Sequence, residues 1–125
     1  MTEERLKELT AEWQKTLRLQ DWDIDVSFKR HFEMCEENVL GQCVCTPSVR
    51  KSTIYVLVPE DADAPQSDYN LEETLVHEIL HVHFSEWENL FTKGDAMPVS
   101  SEAGIDAISH ALVALKYKNV KTEQN

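Results

Sequence analysis

Fifteen residues in the second half of the chain constrain its fold more than any others. From Asn70 to Phe84 the sequence reads NLEETLVHEILHVHF, and on a helical projection Leu75, Val76, Ile79, Leu80, Val82 and Phe84 surround the axis on most sides. A helix apolar almost all round must be buried between other elements. It nevertheless carries His77, Glu78 and His81, polar groups that cost about 1 to 3 kcal/mol each when buried without partners. The fold must cover this helix and still satisfy those three side chains. Asn70 suits its N-cap, Glu72 and Glu73 suit the positive end of its dipole, its apolar run reaches Trp87 or Phe91, and Gly94 is a natural stop.

The remaining chain supplies elements to cover it. Leu6, Leu9, Trp13 and Leu17 recur at helical spacing, predicting an amphipathic helix over residues 3–19. Trp22, Ile24, Val26 and Phe28 alternate with polar residues as a half-buried strand does, a second strand is expected over Val39–Thr46, and Ser52–Val58 is the most β-prone segment. Pro47 breaks the second strand from the third, Pro59 ends the third, and Glu60–Asp68 is a polar, acidic connection. A last helix begins near Ser100 or Ser101, presents Ile105, Ile108, Leu112 and Leu115 on one face, and fades into a flexible polar tail over residues 118–125. The expected architecture is α+β: an N-terminal helix, a short three-stranded sheet, mixed or antiparallel, the buried helix and a C-terminal helix. At 125 residues with 42% hydrophobic content, the chain is expected to form a single domain over 1–125 without disulfide support.

His77-Glu78-Ile79-Leu80-His81 is an H-E-x-x-H sequence, which on a helix places both imidazoles one above the other on the same face. One turn of separation lets both converge on one zinc ion, and Glu78, about a hundred degrees round from His77, faces a zinc-activated water as a general base. A catalytic zinc needs a third protein ligand and an open fourth position. Glu102, 21 residues after His81, starts the next helix, and Asp106 is one turn further along the same face.

The pairing of His77-Glu78-x-x-His81 with Glu102-Ala-Gly-Ile-Asp106 resembles the H-E-x-x-H plus E-x-x-x-D pattern of the gluzincins, the thermolysin-like zinc peptidases. The whole chain is similar to the minimal members of that group and to small metallopeptidases encoded in phages and prophages. The resemblance implies a zincin-like domain with one Zn2+ per chain, Glu102 as third ligand, Asp106 accepting a hydrogen bond from His77, and hydrolysis of a peptide or protein substrate. The motifs span about thirty residues, and the larger C-terminal domain of the longer gluzincins has no counterpart here. Gly104, inside the second motif, costs about 1 kcal/mol against alanine and is expected to let two helices approach closely.

The other chemically active residues carry alternative readings. His110, one turn after Asp106, is either a transition-state donor, a substitute zinc ligand or an ordinary surface histidine. His83 is about two hundred degrees from His81 and reads as a satisfied or exposed histidine. Cys43 and Cys45 share a strand face; with Cys35 they read as small apolar residues, against a second soft-metal site. Trp13, Trp22 and Trp87 are expected in the core. The competing function is a non-catalytic zinc-stabilised binding or regulatory module, to which the carboxylate of Glu78 would contribute nothing.

The net charge of −11 repels phosphate backbones and anionic lipid, so neither nucleic acid nor membrane is an expected partner. The odd number of cysteines and the charged opening MTEERLKELTAEWQK point to a reducing, cytoplasmic setting. The sheet edge that would receive a peptide is either Val39–Cys45 or Ile54–Val58, and such an open edge can also self-associate.

Overall fold

A computed structural model of the 125-residue chain describes residues 1–34, 39–61, 70–88 and 99–123, with the backbone alone for 99–101 and 119–123. The architecture is α+β, in the expected order. Helix α1 (Glu3–Thr16) precedes strands β1 (Asp23–Lys29), β2 (Gly41–Thr46) and β3 (Lys51–Leu57), followed by helices α2 (Leu71–His83), α3 (Ser85–Glu88) and α4 (Val99–Glu123). No described helix is long and apolar enough to cross a membrane.

Helix α1 starts where Thr2 accepts a hydrogen bond from the Arg5 amide at 3.1 Å, and it buries Leu6, Leu9, Thr10 and Trp13. It ends three residues before the predicted boundary because Arg18 turns left-handed, with φ 61. The Leu19 amide then donates back to the Gln14 carbonyl at 2.7 Å and Arg18 to Lys15 at 3.3 Å, the paired closure of a Schellman turn that tucks Leu19 into the core.

The sheet is mixed, in the order β1-β3-β2, with β1 parallel and β2 antiparallel to β3. The strand with the strongest β pattern takes the centre, and its Ile54 and Val56 are fully buried. Of the two candidate edges, Ile54–Val58 is therefore excluded, since β3 is paired on both sides, whereas β2 is an edge. A four-residue connection, Pro47 to Arg50, joins β2 to β3, with Arg50 left-handed at φ 51.

Helix α2 packs against β2 and β3, against α1 and against α4, which explains its nearly continuous apolar surface. Asn70 caps it as expected, its Oδ1 accepting from the Glu73 amide at 3.0 Å. The helix stops at His83, and α3 restarts after Phe84, so the continuous run to Trp87 or Phe91 is broken; Phe91 and Gly94 lie outside the described residues. Beyond the break, Trp87 is 43% exposed, a departure from its expected place in the core. Trp13 is buried and Trp22 packs partly against the core, as expected.

Helix α4 buries a different line from the predicted one. Ile105, Ser109 and Val113 face inward at i, i+4 spacing, while Ile108 and Leu115 are 43% and 62% exposed. The helix packs on α2, and the small, buried Ser109 satisfies its hydroxyl by donating to the Asp106 carbonyl at 2.8 Å. A Cβ at Gly104 would meet nothing within 4 Å, so this glycine does not serve close helix approach. The helix also continues to Glu123 instead of fading at Lys118, since lysine and glutamate are good helix formers and no proline or glycine interrupts it.

One buried carboxylate fastens the three long helices together. Glu72 Oε2 accepts from the Trp13 indole at 2.7 Å and from Lys116 Nζ at 2.6 Å, and Oε1 accepts from the Tyr117 hydroxyl. Burial alone would raise its pKa; the hydrogen bonds of Lys116, Tyr117 and Trp13 outweigh that and hold it below the ordinary value.

Candidate metal centre

The regular helix of α2 puts His77 and His81 on one face with ring centroids 5.1 Å apart. The first turns of α4 bring Glu102 against them: its Oε2 is 3.1 Å from His77 Nε2 and its Oε1 is 3.0 Å from His81 Nε2. One ligating atom from each of His77, His81 and Glu102 lies within 4.8 Å of the other two, the spacing that a single metal ion requires. The two sequence motifs, remote along the chain, therefore meet in space.

The outer nitrogens of both imidazoles also face carboxylates. His77 Nδ1 is 3.5 Å from Asp106 Oδ1, and His81 Nδ1 is 2.7 Å from Glu88 Oε1. A neutral imidazole donates from one nitrogen only. If His81 donates from Nδ1 to Glu88, its Nε2 presents a lone pair toward Glu102, a repulsion that only an added proton or a metal cation between them removes. At His77 the inward Nε2 is hydrogen-bonded to Glu102 at 3.1 Å, and the outer Nδ1 keeps the longer 3.5 Å separation from Asp106. With Glu78, Glu88, Glu102 and Asp106 all close by, the cluster carries four carboxylates and two imidazoles, a donor set that fits a divalent cation.

Glu78 is 8% exposed and lines the cleft beside His77. Burial pushes its carboxyl up to about 7; His81 opposes the rise, and Glu102 and Glu88 add to it. His81 shows the reverse balance: burial would lower its pKa, but the Glu88 hydrogen bond and charge raise it above the ordinary value, helped by Glu78 and Glu102.

The cleft has a volume of about 700 Å³ and is bounded by Val39, Leu40 and Gly41 on one side and by α2 and α4 on the other. Gly41 packs close to Glu78: a Cβ there would stand 2.9 Å from Glu78 Oε2 and 2.9 Å from Thr74 Cγ2. His110 also lines the cleft, exposed, with its Nδ1 paired to Glu73 Oε1, and it stands outside the three-residue cluster. His83 is a satisfied surface histidine, as expected, its Nε2 bonded to the Leu17 carbonyl at 2.6 Å.

Two residues of this site carried no sequence motif. Glu88 follows His81 by seven residues, two turns along the same face of a continuous helix, so the spacing offered a faint signal that the break at Phe84 obscured. Gly41 offered none, because its contact with Glu78 depends on how the sheet packs on α2. Cys43 and Cys45 are half-buried with their sulfurs 3.4 Å apart, and Cys35 lies outside the described residues. Among the described residues no third ligating group joins these two thiols, which leaves the second soft-metal site without support.

No protein-family model, no curated protein and no solved structure matches this chain.

Proposed function

We propose that the chain is a zinc-dependent peptidase of the gluzincin type, with His77, His81 and Glu102 holding one zinc ion and Glu78 serving as general base. The observation that carries this reading is the meeting of two imidazoles and one carboxylate beside a buried glutamate at the wall of an open cleft. Two nitrogen donors and one oxygen donor are the ligand set of catalytic zinc sites that keep a position open. Zinc in such a site supplies a Lewis acid that polarises a carbonyl and acidifies water.

The protein groups divide the remaining work. Glu88 and Asp106 accept the Nδ1 protons of His81 and His77, which fixes the tautomers with both Nε2 lone pairs directed inward. Glu78, held between Gly41 and the start of the His77–His81 turn, takes a proton from the attacking water at a carboxylate oxygen and delivers it to the leaving amine. His110, which lines the cleft with its Nδ1 paired to Glu73, would be the donor to the oxygen on which charge develops. A peptide substrate would add to the edge of β2 that is unpaired among the described residues, where main-chain hydrogen bonds require little side-chain recognition.

A zinc-stabilised binding module would need neither the open cleft nor a buried carboxylate beside the metal ligands, so the catalytic reading is preferred. It is tested by incubating a mixed peptide library with the protein and with Glu78→Gln, each loaded with one equivalent of zinc, and reading cleavage by mass spectrometry. The wild type cleaves, and the variant loses a factor of about 10² to 10⁴ while keeping its zinc. Absence of cleavage by a zinc-loaded wild type would instead favour the binding module.

A further inference from the structure

Cys43 and Cys45, two residues apart on β2, project from the same face of the sheet toward α2. Their sulfurs touch at 3.4 Å, and the buried Ser52 hydroxyl, opposite Cys45 in the register, lies 3.4 Å from one sulfur and 3.5 Å from the other. Both side chains are half-buried, within reach of small reagents. The thiols are not equivalent: the hydrogen bond they share, whichever sulfur donates, holds the pKa of Cys43 up and that of Cys45 down, and burial adds to the first and opposes the second.

We propose that Cys43 and Cys45 form a redox site that closes reversibly to a disulfide by exchange with a low-molecular-weight disulfide such as oxidised glutathione, and that closure displaces Glu78. The Cys45 thiolate attacks one sulfur of the reagent, forming a mixed disulfide and releasing one small thiolate. Cys43, after losing its proton to solvent, attacks the Cys45 sulfur and releases the second. Two protein thiols are oxidised, and the reagent is reduced to two thiols.

Strand geometry makes this bond a mechanical event. Residues i and i+2 of an extended strand have Cα atoms about 6.6 to 6.8 Å apart, the long end of the range a disulfide spans, so closure requires β2 to pucker. An edge strand can do so, and among the described residues β2 is paired with β3 alone. Gly41 is two residues from Cys43, and the space a Cβ would take there is already bounded at 2.9 Å by Glu78 and Thr74. A change in the course of β2 therefore reaches the Glu78 carboxylate directly. A strained disulfide is also readily reduced, which makes the change reversible. None of this depends on peptide hydrolysis.

The test uses the full chain as Cys35→Ser, with one equivalent of zinc and oxidised glutathione. Peptide mapping should find Cys43 and Cys45 joined with loss of two hydrogens and restored by a dithiol reductant, whereas Cys43→Ser in the same background should stop at a glutathione adduct on Cys45. The carboxyl ¹³C resonance of Glu78, assigned by its absence in Glu78→Gln, should shift between reduced and oxidised protein. Free thiols or two separate glutathione adducts at Cys43 and Cys45 would overturn the redox site. A closed disulfide with an unmoved Glu78 resonance would overturn the coupling.

Discussion

His81 Nδ1 lies 2.7 Å from Glu88 Oε1, with the two side chains only 15% and 16% exposed. This pair fixes which nitrogen of His81 is free to meet a metal, and it does so from a helix outside the H-E-x-x-H motif. Removing an outer carboxylate of this kind typically lowers metal affinity by about 10- to 100-fold. Glu88→Gln is expected to weaken zinc binding within that range, measured by competition with a chromophoric chelator. Asp106→Asn should cost less, because Asp106 stands 3.5 Å from His77 and is 81% exposed.

The raised pKa of Glu78 makes metal-free stability depend on pH. Its folded value of about 7 lies above the ordinary 4.5, so the folded state binds the proton more tightly than the unfolded chain does. That contribution is fully present below about 4.5 and is lost as pH rises through about 7. Glu78→Gln, which keeps the shape without the charge, should therefore gain on the wild type across this interval, by up to about 3 kcal/mol at pH 8. Urea unfolding of both proteins with a chelator present checks this, and a gap independent of pH would contradict it.

Two glycines separate contact from propensity. Gly41→Ala forces a methyl against Glu78 and Thr74 and is expected to destabilise the fold by about 1 to 3 kcal/mol and to lower peptide turnover, with zinc still bound. Gly104→Ala meets open space on a helix and should stabilise by about 0.5 to 1 kcal/mol with zinc affinity unchanged. Thermal unfolding with zinc titration distinguishes the two.

Glu72 contributes to stability away from the metal ligands. Replacing it with alanine leaves the Trp13 indole and the Lys116 and Tyr117 side chains without their shared acceptor. Because Lys116 is about one-third exposed and can regain water, the expected loss is about 2 to 3 kcal/mol, with little change in zinc affinity at temperatures where the variant stays folded. Denaturant unfolding and zinc titration of Glu72→Ala together check both halves.

The periodic features of the sequence translated well into structure. Asn70 caps α2, the alternating, the expected second and the β-branched segments form the three strands, and the helical spacing of His77 and His81 brings their rings together. Glu102 and Asp106 were legible through the resemblance of Glu102-Ala-Gly-Ile-Asp106 to the second gluzincin motif, and Glu102 does meet both histidines in space. What the sequence hid depends on packing angles and on local backbone reversals. The left-handed turn at Arg18 shortens α1, Trp87 beyond the break at Phe84 is exposed, and α4 turns Ser109 inward and leaves Ile108 exposed. Gly41 joins the site through these same tertiary details with no local spacing to announce it, and the two-turn spacing of Glu88 from His81 is masked by the break at Phe84.

X-ray absorption at the zinc edge, on protein loaded with one equivalent, tests the metal centre most directly. Two imidazoles and oxygen donors at about 2.0 to 2.2 Å with no sulfur are expected, and in His77→Ala the imidazole contribution should fall to that of His81 alone, with weaker binding. Sulfur at about 2.3 Å would place the ion on the cysteines instead and contradict the assignment of His77, His81 and Glu102 as its ligands.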